Sequence, residues 1–171
     1  MFNRDFIFNL FKVILLILLQ VVIFDHIEVM GKAQPFFYVV FVVFYPQLGN
    51  KYALLLLSFI LGFGIDFVQQ TGGIHTFSLL SIAFLRNKIL RLITGQDADE
   101  YDRYNTYDLS ALQWFTLTIL LIIIHHIFLF VLENFKLAHL GEVLISAILS
   151  SILTFIFVFI YKILFRRKVT L

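Results

Sequence analysis

Residues 51–85 read KYALLLLSFILGFGIDFVQQTGGIHTFSLLSIAFL, and this stretch decides the fold. Apolar side chains fill both of its halves, and the polar turn VQQTGG at residues 68–73 separates them. A helix that crosses a bilayer needs roughly 20 mainly apolar residues, and glycine permits the tight reversal that must follow it. The stretch therefore predicts two antiparallel helices that cross a membrane and return.

The whole chain has the composition of an all-α integral membrane protein. Of its 171 residues, 61% are hydrophobic and 14% are charged, and the mean hydropathy is +0.96. Soluble domains carry about 25% charged residues. The absence of Cys excludes disulfides, thiolate metal sites and a Cys nucleophile. We therefore expect membrane lipids, and no nucleic acid, to contact this chain.

Six spans are predicted in a single transmembrane domain, residues 1–171. They cover residues 6–24, 35–46, 52–67, 74–93, 112–132 and 143–165. The second span is short and is framed by Pro35 and Pro46. The fourth joins an apolar part to the basic stretch 86–93, which is typical of a helix end at an anionic leaflet. On length alone, either segment could instead be a re-entrant hairpin or an interfacial helix.

The distribution of charge favours six crossings. With six spans, eleven Lys and Arg residues lie on the side of the termini, and only Lys32 and Lys136 lie on the far side. Short cytoplasmic segments of membrane proteins carry the excess of Lys and Arg. If residues 35–46 did not cross, everything after them would invert and most Lys and Arg residues would lie on the far side. We therefore expect six spans with the N- and C-termini in the cytoplasm.

Asp66 is the foremost candidate site residue, because ionisable groups at membrane depth are costly. Gly62 precedes it by four residues and so lies on the same helical face, where a missing side chain lets another helix approach. Gly73 lies in the turn, and His75 follows it closely. Asp66 and His75 form either a proton relay or ligand pair, or a structural hydrogen bond that satisfies helix-end amides.

His125 and His126 lie in the fifth span. Adjacent helical residues point about 100° apart, so these two imidazoles cannot bind one metal ion from the same face as residues four apart would. One of them could complete a site with Asp66, or it could hydrogen-bond within the bundle. We find no nucleophile with its base, phosphate-binding loop or credible metal motif. We therefore expect no cofactor, no metal site and no enzymatic activity.

Three further patterns concern contacts. Residues 95–108 form an acidic cytoplasmic connection with three evenly spaced tyrosines, and are either a solvated loop or a docking segment for a cytoplasmic partner. Ser110 and Gln113 fit a capping box that begins the fifth span. Small residues in the sixth span suit close packing against a helix of this chain or of a partner; they are Ser146, Ala147, Ser150, Ser151 and Thr154.

In size and layout the chain resembles the rod shape-determining protein MreD family. The resemblance covers essentially the whole length. At the start of the chain its motifs are a first span ending near Leu18-Leu19-Gln20 and a short second span framed by Pro35 and Pro46. They continue with Gly62-x-x-x-Asp66, Gly73-Ile74-His75, the basic stretch after the fourth span and the basic residues 166–168. Family members often have a Gly four or five residues after the Asp, where this chain has Gln70 and Thr71.

The resemblance implies both a fold and a function. The implied fold is that of the substrate-binding subunits of energy-coupling-factor transporters. The implied function is that of a non-catalytic subunit of the bacterial elongation complex in the cytoplasmic (inner) membrane, which supports regulated peptidoglycan synthesis and cell shape. It implies that the chain binds MreC and, through MreC, connects with MreB, RodA and a class B penicillin-binding protein.

Two other functions are compatible with the residues. The chain could be a small-molecule-binding subunit of a transporter, which would need several polar groups converging on one pocket. It could also be an intramembrane enzyme acting on lipid-linked substrates, for which only Asp66 with His75 offers a suitable pair. A binding pocket and a free carboxylate are the features that discriminate these two functions.

Overall fold

The computed structural model describes residues 4–29, 31, 33–45, 50–95, 109–133 and 140–165. In these ranges the chain is helical and contains no strand, which confirms the predicted fold class at this level. The helices are α1 Arg4–Val22, α2 Val40–Val43, α3 Lys51–Gln69, α4 Ile74–Thr94, α5 Ala111–Glu133 and α6 Leu140–Leu164. Short 3-10 helices cover Phe24–His26 and Phe37–Val39. Predictions were also made on Lys32, Pro46, residues 96–108, Lys136 and residues 166–168, all of which lie outside the described residues.

Among the described residues, four helical stretches are long and apolar enough to cross a membrane: Phe6–His26, Lys51–Gln69, Ala111–Glu133 and Gly141–Leu164. The transmembrane character predicted from composition is thereby confirmed. At 1.5 Å per residue, the 21 residues of α4 give a length of about 31 Å. That length matches a hydrocarbon core roughly 30 Å thick. The second half of α4 carries Arg86, Lys88 and Arg91, however, and α4 is not one of the four stretches above.

The long helices form a row around a central segment, residues 35–45, most of which is buried. In this row α1 packs on α3, α3 on α4, α4 on α5 and α5 on α6. The short helix α2 contacts α3, α4 and α5, while the 3-10 helix before it contacts α1 and α6. Every residue from Phe36 to Val43 is at most 9% exposed. Large apolar side chains on the outer faces are exposed, including Phe8, Phe63, Phe67, Leu92 and Ile148. These faces suit contact with acyl chains.

The second predicted span is only partly helical. Its helix extends from Phe37 to Val43, and the residues before it are not helical. Pro35 explains the late start, because proline lacks an N–H and biases the preceding residue away from the helical region. The backbone N–H groups of Gln34 and Phe36 donate to the hydroxyls of Ser150 and Thr154 on α6, at 3.1 and 2.9 Å. The small polar residues of α6 therefore bind non-helical chain, and the expectation of helix-on-helix packing was wrong for these two.

The basic end of α4 differs from its predicted position at the membrane surface. Arg86 is 1% exposed, and its guanidinium Nη2 donates to the backbone oxygen of Tyr45 at 2.6 Å. Lys88 and Leu92 are exposed, as expected for a helix end at the interface. Arg86 therefore anchors the end of the central segment inside the bundle, and the prediction of a surface position was wrong for this residue.

The capping box predicted for α5 is present. The backbone N–H of Ser110 donates to Gln113 Oε1 at 3.0 Å, and the backbone N–H of Gln113 donates to Ser110 Oγ at 3.2 Å. These reciprocal bonds satisfy two backbone donors that a bare helix start would leave without acceptors.

Candidate functional site

Asp66 caps the start of the helix that follows it. The first turn of α4 is preceded by Gly73, which has no side chain with which to cap it. The Asp66 carboxylate instead accepts the backbone N–H groups of His75 and Thr76, at 3.0 and 2.8 Å. It also accepts the hydroxyls of Thr71 and Thr76. A negative charge at a helix N-terminus is favourable. These four bonds agree with the structural role considered for Asp66, in which its carboxylate satisfies helix-end amides.

The helices α3 and α4 approach each other closely at Gly62. A Cβ atom added to Gly62 would lie 2.5 Å from Thr76 Cα and 2.9 Å from Thr76 N. The close approach predicted from the Gly62 to Asp66 spacing is therefore present. Because both residues act on the same turn of α4, the contact and the cap reinforce each other.

The turn between α3 and α4 has left-handed backbone at three positions. Gly72 and Gly73 have φ values of 69° and 101°, which glycine adopts without strain. Gln70 has φ of 56°, where L-residues with a side chain are disfavoured. Glycine would therefore be favourable at position 70.

The imidazole of His75 has Tyr38 as its partner and forms no hydrogen bond with the Asp66 carboxylate. Tyr38 Oη lies 2.8 Å from His75 Nδ1 and 2.9 Å from His125 Nε2. All three side chains are buried, with exposures of 0% for Tyr38 and His125 and 5% for His75. The tyrosine hydroxyl therefore links α4 and α5 through the central segment. Sequence reasoning missed Tyr38, which stands among apolar residues in a run without any helical or strand period.

His126 makes different contacts from its neighbour. Its Nδ1 donates to the backbone oxygen of Ile122 at 2.8 Å, and its Nε2 lies 3.5 Å from Thr154 Oγ1. Neither His125 nor His126 hydrogen-bonds to Asp66, so the structure does not form the combined site that we considered. The hydrogen bond within the bundle, the other expectation for this pair, is present.

A second set of polar contacts, around Asp25, joins α1 to Pro35 and to the end of α3. Gln20, which is fully buried in α1, donates from Nε2 to Asp25 Oδ1 at 2.8 Å and to the backbone oxygen of Pro35 at 3.1 Å. Gln69 at the end of α3 donates to the other carboxylate oxygen of Asp25. Pro35 thus marks where the central segment is attached to α1, in addition to delaying its helix.

A cavity of about 720 Å³ opens at the end of the bundle where α1, α3 and α5 end and α4 and α6 begin. His75 belongs to its lining, and its wall includes the amides and hydroxyls of Gln34, Gln69, Thr71, Ser146 and Ser150. Among the described residues that line it, none is Lys or Arg, while four carry carboxylates: Asp25, Glu28, Glu133 and Glu142. The cavity is therefore polar and strongly acidic.

Comparison with models of protein families, with curated proteins and with solved structures finds no match to this chain. The resemblance to the MreD family therefore rests on the residues quoted above.

The chemistry that this site offers is charge and hydrogen bonding. Within the described ranges, no three His, Cys, Asp or Glu side chains converge closely enough to hold a metal ion. The Asp66 carboxylate is surrounded by donors of its own chain, and His75 is the one imidazole among the described lining residues of the cavity. Asp66 thus acts in the turn, while His75 and the four carboxylates face the cavity.

Proposed function

We propose that the chain is a non-catalytic membrane subunit of the bacterial rod-shape complex, similar to MreD, which binds MreC and supports regulated peptidoglycan synthesis. The observation that carries this proposal is the hairpin motif Gly62-x-x-x-Asp66 with Gly73-Ile74-His75, in a chain of 171 residues with the span order of that family. Through MreC the chain would connect with MreB, RodA and a class B penicillin-binding protein.

The contacts of Asp66 support a role without catalysis. A carboxylate that acts as general base or nucleophile must reach a substrate, whereas this one accepts four hydrogen bonds from residues of its own hairpin. Replacing Asp66 by Asn while cell shape stays intact would agree with this role and would remove the main support for an intramembrane enzyme.

The proposal includes six crossings of the cytoplasmic membrane, with both termini in the cytoplasm. Its support is an asymmetry among the described residues: the cavity end carries five carboxylates (Asp25, Glu28, Asp66, Glu133 and Glu142), while Lys12, Lys51, Arg86, Lys88, Arg91 and Lys162 lie towards the opposite end. The positive-inside rule favours cytoplasmic placement of the basic end. The central segment connects the two ends, since Phe36 lies in the cavity wall and the backbone oxygen of Tyr45 accepts a hydrogen bond from Arg86.

Single cysteines test this topology, because the chain has none of its own. In intact spheroplasts, an impermeant thiol reagent should label Glu28→Cys and Glu142→Cys, both of which are exposed in the cavity wall. Lys51→Cys and Lys88→Cys should react only after the membrane is opened. Labelling of Lys51→Cys in intact spheroplasts would contradict the crossing of the second span.

For the MreC span we propose the apolar groove between α5 and α6. This groove has a volume of about 500 Å³, and its lining is almost entirely apolar, including Ile123, Ile127, Ala147, Ile148 and Ser151. Small residues four apart let a second helix approach closely in lipid, and Ala147 and Ser151 have this spacing. A single transmembrane helix with bulky apolar side chains would fill the groove.

Co-purification from native membranes tests the proposed function. The tagged chain should bring down MreC in near-equal amount, as measured by mass spectrometry. Recovery of a pair of ATPases without MreC would instead establish the alternative, a small-molecule-binding subunit of a transporter. That alternative is supported by the cavity, whose volume of about 720 Å³ falls within the roughly 300–1,000 Å³ of ordinary ligand pockets.

A further inference from the structure

We propose that the acidic cavity binds a small organic cation in which a primary ammonium group is accompanied by a hydrogen-bond acceptor. This inference goes beyond the proposed assembly function, because nothing in the contact with MreC requires a ligand. It rests on two independent features of the cavity, the charge of its wall and the state of the His75 ring.

The charge of the wall selects a cation. Four carboxylates line the cavity, and the described part of the lining contains no Lys or Arg to neutralise them. Asp25 accepts hydrogen bonds from the side-chain amides of Gln20 and Gln69, which are uncharged. Glu28 and Glu142 are exposed and free to reorient. A cation that enters the cavity therefore gains favourable electrostatic energy from several directions.

The spacing of these carboxylates favours an organic cation over a metal ion. Calcium binds 6–8 oxygen ligands at 2.3–2.6 Å, which requires several carboxylates at one point. Within the described residues no three such groups converge. An ammonium group needs only one or two carboxylates at a time, and an extended molecule can use carboxylates that are farther apart.

The ring of His75 supplies the second feature. It is 5% exposed and lines the cavity, and its Nδ1 is bonded to Tyr38 while its Nε2 has no partner among the described residues. A neutral imidazole has one donor and one acceptor. The hydroxyl of Tyr38 can donate to only one of the two imidazoles, so the other must donate to the tyrosine oxygen.

The buried neighbour decides between these two arrangements. His125 is fully buried, and its Nδ1 has no hydrogen-bond partner. A buried N–H without an acceptor is rarer than an acceptor without a donor, so the proton of His125 resides on Nε2 and is donated to Tyr38. Tyr38 then donates to His75 Nδ1, which leaves the proton of His75 on Nε2. The cavity thus presents an N–H donor from a nearly buried ring, and the ligand carries the matching acceptor.

Two sources offer an ammonium group with an acceptor beside it: free amines of the aqueous phase and the headgroup of phosphatidylethanolamine. For the first, thermal unfolding of the purified full-length chain in detergent would be followed with ethanolamine and with 3-amino-1-propanol, against ethylene glycol at matched ionic strength. For the second, the chain would be released from nanodiscs of equal phosphatidylethanolamine and phosphatidylglycerol, and native mass spectrometry would count the retained lipids. The double variant Glu28→Gln, Glu142→Gln is the control; both side chains are exposed, so its unliganded melting temperature should equal that of the parent.

We expect the melting temperature to rise with the ammonium compounds and not with the diol. The rise in the double variant should be at most half of that in the parent chain. This result would assign a free amine as the ligand. Selective retention of phosphatidylethanolamine, lost in the double variant, assigns the lipid headgroup. The proposal is overturned if neither a shift nor a lipid preference occurs, or if the double variant leaves both effects unchanged. Co-purification with MreC is measured separately, so failure here is distinct from failure of the assembly function.

Discussion

The two helical hairpins of this molecule are held together in different ways. In the first, α3 and α4 meet at backbone distance at Gly62. Asp66 accepts three hydrogen bonds from the first turn of α4 and a fourth from Thr71 in the preceding turn. In the second, α5 and α6 leave an apolar groove of about 500 Å³ between them. Rigid, fully bonded contacts specify a fold, whereas an unfilled apolar groove in lipid can accept another helix. The first hairpin therefore serves the structure, and the second is available to a partner.

The largest effect is expected from Gly62→Ala. The new Cβ would lie 2.5 Å from Thr76 Cα, a backbone atom that cannot move without separating α3 from α4. Overpacking of this kind costs about 3 kcal/mol, so the melting temperature in detergent should fall sharply.

Two matched glycines serve as controls for that variant. In Gly64→Ala the close atom is Ile17 Cδ1, the end of a flexible side chain, and at Gly141 nothing lies within 4 Å. Gly64→Ala should cost little, and Gly141→Ala should be neutral or slightly stabilising, because alanine is preferred within helices by about 0.5–1 kcal/mol. Equal losses in all three variants would refute the claim that α3 and α4 meet at Gly62.

Asp66→Ala should have the next largest effect. It leaves the N–H groups of His75 and Thr76 without their acceptor, and hydrogen bonds to charged groups contribute about 1.5–3 kcal/mol. Asp66→Asn keeps one acceptor oxygen and should lose about half as much stability. Thermal unfolding of both variants checks this order, and an Asn variant as unstable as Ala would show that the charge, rather than the acceptor geometry, is decisive.

Tyr38→Phe should destabilise the chain by about 1–2 kcal/mol, because it removes the hydroxyl that lies between His75 and His125. Tyr52→Phe is the matched control, since its side chain is 68% exposed. Comparable unfolding temperatures for the two variants would argue against the histidine–tyrosine chain as a stabilising contact.

Gln70→Gly is expected to stabilise the hairpin slightly. An L-residue in the left-handed region costs roughly 1–2 kcal/mol, of which glycine avoids most, and Gln70 has φ of 56°. A gain of about 0.5–1 kcal/mol should appear in thermal unfolding. Gln70→Ala retains the backbone strain and should show no gain; stabilisation by Ala as well would place the effect elsewhere.

The contacts that could be predicted from the sequence are those between residues close together in the chain. Gly62 and Asp66 were predictable because their spacing of four is a local helical relation, and the cap they serve lies within ten residues along the chain. Ser110 and Gln113 were predictable for the same reason. Local rules of this kind need no knowledge of the tertiary fold.

The contacts that escaped prediction join distant parts of the chain. Tyr38 is 37 residues from His75 and 87 from His125, and nothing in its neighbourhood distinguishes it from an ordinary lipid-facing tyrosine. Arg86 was assigned to the membrane surface because basic residues interspersed with apolar ones are typical of a helix end at an anionic leaflet. Its backbone acceptor at Tyr45 became visible only in the fold. The break in the second span was also hidden, since an unbroken apolar run has no period that separates helix from extended chain.

The difference between the two hairpins is tested most directly by filling the groove. Ala147→Trp should occupy the space between α5 and α6, and Leu56→Trp, at a side chain that is 50% exposed on α3, is the matched control. Both variants should unfold at the temperature of the parent chain. We expect Ala147→Trp to recover at least tenfold less MreC from native membranes and Leu56→Trp to recover as much as the parent. Undiminished recovery with Ala147→Trp would show that MreC does not bind in this groove.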